Sequence, residues 1–465
     1  MEHLLHAFDL QRQDLLVPTA DQRRAWLNQL WSAIEDQQEG LVEALHKDLG
    51  KPREEVLLHE VFPVKNEIRF ARRHLRGWMS PLRTPTPLTM VGTKSFIQHQ
   101  PKGQVLVIAP WNFPMMLALR PLVCALAAGN KVLVKPSEHT PQTAEWIAKV
   151  VDDALPPEVA KVILGGVEES AFLTSLPFQH ICFTGGTGIG RKVMHAAAEN
   201  LASVTLELGG KSPAIVDATV QVTDAAKRLA WGKFLNSGQV CISPDYLLVE
   251  DDIADAVVQE FVTHTQSMYG ASPADQLSCV QRSRMINDHH FRRVIGLIED
   301  ALAQGARVVT GGTWDARTRR IAPTVLEDVT LDMAIMHEEI FGPVLPVIRW
   351  TTEEDLKRVL EATPHPLALY FFSKDQAKVA RWMAQFPSGT TAVNEVILQV
   401  AQTELPFGGI QTSGIGRTGG YAGFQEFSNP RTVVAQRSRF NILPLTFPPF
   451  TSFTSKLIAA VLRWL

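Results

Sequence analysis

Apolar residues recur at helical spacing through RRAWLNQLWSAIEDQQEGLVEALHKDLG, residues 23–50, and predict helix that stops at Gly50 with Pro52 just beyond. A second helical stretch is predicted from about Arg53 to Trp78. PLRTPTPLTM breaks the pattern, and TKSFIQHQP (93–101) reads as a strand-like ribbon. From Lys102 the period changes. QVLVIAP, KVLVKP, VAKVILGG, HICFTGG and SVTLELGG are short apolar runs of the kind that forms buried parallel strands. Between them lie LRPLVCALAAG, PQTAEWIAKVVDDAL, EESAFLTSL and GIGRKVMHAAAENL, each with a helical period. The second of these helices is predicted to start with Thr140 as N-cap and Pro141 in its first turn. Strands and helices that alternate in this way specify a doubly wound parallel sheet of the α/β class.

The second half alternates less regularly. WGKFLNSGQVCISPDYLLV, ARVVTGG, a helix after Thr351, LALYFFS and TTAVNEV predict another α/β unit, and Phe407 to Gly423 is rich in glycine. The tail from Leu443 to Leu465 is apolar and aromatic. Its last run, LIAAVLRWL, is about 14 Å long as a helix, against about 30 Å for a bilayer core, so it does not span. A tail packed on the protein is the expectation, and weak contact with lipid is the alternative.

Composition narrows the function classes. The 465 residues suggest two or three domains, and 45% hydrophobic with 20% charged residues fits a soluble globular chain. A net charge of −3 with no block of like charge gives no sign of nucleic-acid binding. Cys124, Cys182, Cys241 and Cys279 lack disulfide or zinc spacing, and the N-terminus has no signal-peptide core. Both features point to a cytoplasmic setting without a metal site.

Two nucleotide signatures fail. FTGGTGIG would need glycine at 191 to complete G-x-G-x-x-G and has Arg191. LELGGKSP would need glycine at 205 for a P-loop and has Thr205. Other residues can carry chemistry. A cysteine alone is more often a small core residue, but Cys241 follows Asn236, Ser237, Gly238 and Gln239, a polar and bendable approach suited to a nucleophile. Glu207, between Leu206 and Leu208 at the end of an apolar strand, is either salt-bridged or a general base tuned by dry surroundings. Asn112 in APWNFP lies just past a strand end, where an amide can donate to an oxyanion; a turn residue between prolines is the simpler reading. Lys135 and Glu138 in KPSE are either a solvated turn or contacts to a nucleotide. Glu339 and Phe341 in EEIFGP have no role readable from composition.

Taken together and in order, PWNFP (Pro110–Pro114), KPSE (Lys135–Glu138), FTGGTGIG (Phe183–Gly190), LELGGKSP (Leu206–Pro213), GQVC (Gly238–Cys241), EEIFGP (Glu338–Pro343) and PFGG (Pro406–Gly409) resemble the aldehyde dehydrogenase superfamily. The late start, AWGKFLNSGQVC and the trailing FPPF resemble its class 3 branch of fatty and aromatic aldehyde dehydrogenases. The resemblance implies a cofactor domain (1–79 and 101–206), a catalytic domain (207–407), an oligomerisation segment (80–100 and 408–440) and a tail (441–465). It implies Cys241 as nucleophile, Glu207 as general base and Asn112 as oxyanion donor. It places Lys135 and Glu138 at the adenosine ribose, Gly185, Gly186 and Gly190 around the pyrophosphate turn, and Glu339, Phe341 and Trp111 on the nicotinamide side. NAD is the expected cofactor with NADP usable, and a homodimer the expected assembly. Trp231 and several phenylalanines suggest an apolar pocket for medium-chain, long-chain or aromatic aldehydes. A CoA-acylating enzyme, or a non-catalytic protein on the same fold, is the alternative. Three positions depart from the pattern: Gly186 stands where serine or asparagine is common, Glu395 where aspartate is usual, and Phe450 where tyrosine is frequent.

Overall fold

The computed structural model describes residues 1–12, 17–438, 444 and 447–464. The five apolar runs form the parallel strands β1 (Gln104–Ile108), β2 (Lys131–Lys135), β3 (Ala160–Val162), β4 (His180–Thr184) and β5 (Ser203–Glu207). They lie in the spatial order β5-β4-β1-β2-β3. Every residue of β1 and β4 is buried, as expected when helices cover both faces of a sheet. The order reverses direction between β1 and β4, and the crevice beyond their carboxyl ends is where such sheets bind ligands.

The N-terminal helices follow the sequence reading. The helix Ala20–Asp36 opens with a capping box between Thr19 and Gln22, and Gln38–Leu49 closes at Gly50 with φ 67°. The stretch from Arg53 to Met79 is continuous, but residues Leu57–Val61 form a π-helical turn that periodicity did not reveal. At Pro141–Ala154, Thr140 occupies the N-cap position without making the cap hydrogen bond. Asp48, from the preceding helical layer, accepts from the backbone N–H of Thr143 at 2.8 Å and of Gln142 at 3.3 Å instead. The cap is supplied by tertiary structure, so local sequence could only locate it.

The second sheet has seven strands, in the order Arg307–Thr310, Thr324–Glu327, Val344–Trp350, Tyr246–Glu250, Pro213–Val216, Ala368–Phe372, Thr390–Val393. All its pairings are parallel except that of the first strand. The ribbon Thr93–Pro101 pairs antiparallel with Ser428–Gln436 along its whole length. Gly414–Ile415, from the glycine-rich segment, turns back and adds an antiparallel strand to β5 opposite Leu206 and Glu207.

Among the described residues, no helix is long and apolar enough to cross a membrane. The expected tail falls partly outside the described residues, at 441–443, 445–446 and 465, as do residues 439–440 of the expected oligomerisation segment. Its helix Ser452–Trp464 does not pack on the body of the chain as expected: Phe453, Leu457, Ile458, Val461 and Leu462 are all exposed, and among residues 452–463 only Thr454 is buried.

Candidate active site

The chain leaves β1 through Pro110, Trp111 and Asn112 before entering the helix Pro114–Ala128, and it leaves β4 through Gly185 and Gly186 into the helix Thr187–Glu199. Both exits flank the reversal in strand order. A cavity of about 1010 Å³ opens there, lined by Trp111, Asn112, Gly185, Gly186, Glu207, Cys241, Glu339 and Phe341 among others. Residues far apart in sequence thus meet at one wall.

Cys241 sits at the end of a tight turn. Asn236, Ser237 and Gly238 adopt successive left-handed conformations, with φ of 48°, 52° and 75°. Each of the two non-glycine residues costs about 1–3 kcal/mol, strain typical of a functional loop. A Cβ on Gly238 would lie 2.2 Å from the carbonyl oxygen of Gly342, so only glycine lets this turn rest on the EEIFGP segment. The Gln239 amide donates to the carbonyls of Asn236 (3.0 Å) and Arg284 (3.1 Å), and its oxygen accepts from Ile286 N–H. The Cys241 side chain is partly exposed and unpaired. Burial, together with the neighbouring Glu339 and Glu207 carboxylates, pushes its thiol up, so the resting residue is a thiol rather than a thiolate.

Glu207 closes β5 and is 7% exposed. Its Oε1 accepts a hydrogen bond from Thr418 Oγ1, which leaves Oε2 for another partner. Burial raises its pKa above the ordinary carboxylate range, and the Thr418 hydrogen bond opposes that rise. Of the two readings left open by sequence, the salt bridge is not present: no cation lies within bridging distance of Glu207 among the described residues. Asn112 Nδ2 donates to Gln239 O at 3.0 Å, which uses one of its two N–H groups and ties it to the Cys241 turn.

Glu339 is half-buried at the cavity wall, and desolvation of its carboxyl, followed by the nearby Asp245, raises its pKa to about 8. Its carboxylate fills space that a side chain on Gly209 would occupy, with Oε2 1.9 Å from the Cβ position. Phe341 packs edge-on against Trp111 with centroids 5.3 Å apart. The segment carrying Glu339 and Phe341 is fastened by residues that sequence reasoning missed. Lys211 Nζ donates to Asp245 Oδ2 (2.5 Å), Ile335 O (2.7 Å) and Glu338 O (3.0 Å). Asp245 Oδ1 accepts Ile340 N–H, and Arg293 donates to the carbonyls of Glu339 and Ile340. Lys211 stood inside a quoted motif; Asp245, Arg293 and Thr418 carried no signal of their own.

Three expected residues, Lys135, Glu138 and Gly190, lie outside the cavity lining. Gly190 serves packing, since a Cβ there would meet Leu208 Cδ2 at 2.6 Å. Lys135 is buried and donates to Pro136 O (2.8 Å), Gly165 O (2.7 Å) and Glu138 Oε2 (3.1 Å). All three ammonium protons are engaged. Gly186 has open space where a Cβ would be, so the departure at this position costs nothing sterically.

A family model for the aldehyde dehydrogenase family matches residues 15–433. The chain belongs to the aldehyde dehydrogenase family. Its relatives include class 3 members. It is 40% identical over 440 residues to a putative aldehyde dehydrogenase, AldX, of Bacillus subtilis, covering 94% of this chain and 98% of that one. It is 39% identical over 443 residues to a probable coniferyl aldehyde dehydrogenase of Pseudomonas aeruginosa, covering 95% and 92%. Among solved structures, a substrate-bound Staphylococcus aureus AldH superposes with a TM-score of 0.93 at 35% identity, covering 99% of each chain. The enzyme is an aldehyde dehydrogenase that uses a nicotinamide dinucleotide, NAD or NADP, and oxidises an aldehyde to the acid.

The cavity residues fit that cofactor. Gly186 and Gly188 leave open space where side chains would project. The helix Thr187–Glu199 begins without a side-chain cap, so its first backbone N–H groups are available to a pyrophosphate.

Proposed function

We propose that the enzyme oxidises apolar aldehydes, aromatic or medium- to long-chain, through a thioester on Cys241. The observation that carries this reading is the single cavity shared by Cys241, Glu207 and Asn112. Cys241 releases its proton to solvent water in the cavity as its sulfur bonds to the aldehyde carbon. The carbonyl oxygen becomes an oxyanion, held by the free Asn112 side-chain N–H and the Cys241 backbone N–H. A nicotinamide held in this cavity would accept the hydride that leaves this carbon, and the acyl group would stay on the Cys241 sulfur as a thioester. Glu207 takes a proton from a water, whose oxygen attacks the thioester; the C–S bond breaks and the carboxylate departs. Burial raises the pKa of Glu207, which makes its carboxylate a stronger base toward water than an exposed one.

In this reading the sheet of β1–β5, with residues 1–79 and 101–206, holds the cofactor. Residues 207–407 form the catalytic domain. The segments 80–100 and 408–440 join copies of the chain, and the tail at 441–465 stands apart. The Gly414–Ile415 strand makes one exception to that division, because it completes the cofactor sheet. Glu339, Phe341 and Trp111 border the nicotinamide side, while Glu138 faces the adenosine ribose. The four unpaired cysteines support a reducing, cytoplasmic setting.

The apolar substrate class is supported by Leu117, Leu331, Met336 and Phe341 in the cavity wall and by the coniferyl aldehyde of the Pseudomonas relative's name, whereas Trp231 lies outside that wall and packs on the core. An aldehyde panel followed by NADH and NADPH formation tests it. Benzaldehyde-type and six- to twelve-carbon aldehydes should exceed acetaldehyde in kcat/KM by about tenfold or more, since each buried methylene contributes roughly 0.8 kcal/mol. Equal values across the panel would rule out an apolar pocket.

A further inference from the structure

Lys51 and Glu60 form an ion pair at 2.6 Å, and neither side chain has any exposed surface. A pair so deeply buried is a weak source of stability, because desolvation offsets most of its attraction. Its surroundings are more informative. Lys51 Nζ also donates to the backbone carbonyl of Asn112 at 2.8 Å and sits 3.9 Å from the centre of the Phe113 ring. Glu60 Oε2 accepts the backbone N–H of Met116 at 2.8 Å, in the first turn of the helix Pro114–Ala128. Phe113 at that helix's N-cap position has no side chain able to cap, so Glu60 does it from a distance.

The pair therefore grips the segment 112–116 from both ends. The same Asn112 carbonyl accepts from Asn236 Nδ2 at 2.9 Å, and the Asn112 side chain donates to Gln239 O. Asn236 and Gln239 belong to the turn that presents Cys241. Glu60 reaches this position from the π-helical turn Leu57–Val61, a form frequent at functional sites.

We propose that Lys51 and Glu60 are positioning residues that hold the Asn112 amide in register with Cys241. This rests on Asn112 as the oxyanion donor. Neither residue touches substrate; each acts through the peptide between Asn112 and Phe113 and the helix behind it. The pair fixes the direction of the remaining Asn112 N–H, on which the strength of the bond to the oxyanion depends.

The test is a cycle between the double substitution Lys51→Met with Glu60→Leu and the substitution Asn112→Ala, read as the pre-steady-state rate of cofactor reduction and as Tm. Replacing a buried pair by apolar groups of similar size leaves folding near neutral, so Tm should move by only a few degrees. The reduction rate should fall roughly ten- to hundredfold with aldehyde and cofactor affinities held within about threefold. In the Asn112→Ala background the same double substitution should cost less than about twofold. If its full factor persists there, or if it leaves the rate unchanged in the wild-type background, the positioning role is overturned. If Asn112→Ala alone reduces cofactor at the wild-type rate, the oxyanion assignment fails instead. Glu60→Gln, which keeps side-chain size and an acceptor for Met116 N–H, repeats the cycle should the double variant not fold; additivity with Asn112→Ala again overturns the proposal.

Discussion

Thr418 Oγ1 donates a hydrogen bond to Oε1 of Glu207, joining the proposed general base to a threonine 211 residues further along the chain. The bond lowers the Glu207 pKa against the rise that burial causes. A base acts only when ionised, so hydrolysis of the thioester should fail as pH falls through that pKa. Thr418→Val removes the opposing bond and should raise the pKa further. The acid limb of the kcat–pH profile should move to higher pH, while the rate on the high-pH plateau stays within about threefold of wild type. An unmoved limb would show that Glu207 does not control the acid side.

Glu207→Gln should separate the two halves of the reaction. One equivalent of reduced cofactor per active site should form and turnover should then stall by about 10²-fold or more, with the acyl group found on Cys241 by mass spectrometry. Cys241→Ser should abolish both phases and leave cofactor binding intact, because an alkoxide is far harder to form than a thiolate. Steady turnover by either variant contradicts the assigned role.

Gly209 should be intolerant for a reason unrelated to folding. A Cβ there collides with Glu339 Oε2, the free end of a side chain, which can swing aside. Gly209→Ala should therefore keep its Tm within a few degrees while displacing Glu339. Loss of one hydrogen-bonding carboxylate at the cofactor should raise cofactor KM about tenfold, roughly 1.4 kcal/mol. A low Tm with normal KM would place the effect in the backbone.

Cofactor choice should depend on Glu138 more than on Lys135. A carboxylate hydrogen-bonds a ribose 2′-hydroxyl and repels a 2′-phosphate, and Lys135 has no spare proton to offer that phosphate. NAD should be preferred and NADP usable. Glu138→Gln should raise the NADP-to-NAD ratio of kcat/KM by about five- to a hundredfold, the range set by solvent screening. A constant ratio would mean that Glu138 faces away from the ribose.

The ribbon of Thr93–Pro101 and Ser428–Gln436 exposes Val434, and Leu82 on the neighbouring strand, to solvent. A narrow sheet with apolar groups outside is best stabilised by a partner, and the class 3 resemblance implies a homodimer. Light scattering at micromolar concentration should give twice the chain mass of 51.5 kDa. A mass of one chain removes the assignment.

Local sequence was sufficient for the scaffold of the cofactor sheet. β1 to β5 and their four helices appear where apolar runs and helical periods alternate, because burial on both faces leaves a strand no polar positions. Cys241, Glu207 and Asn112 were legible because short motifs travel with their residues. The supporting contacts were not. Thr418 lies in a glycine-rich stretch without strand or helix pattern, yet the turn at Gly414–Ile415 places it on Glu207. Lys51, between Gly50 and Pro52, and Glu60, in the helical stretch after Arg53, carry no local sign of burial, and the cap at Pro141 comes from Asp48 rather than Thr140. Periodicity records which face of an element is apolar; it does not record which distant element will cover that face. Burial of a charge, and with it pKa and hydrogen-bond partner, is decided only when the layers close, so tertiary structure alone selected the partners of Glu207, Asn112 and Glu339.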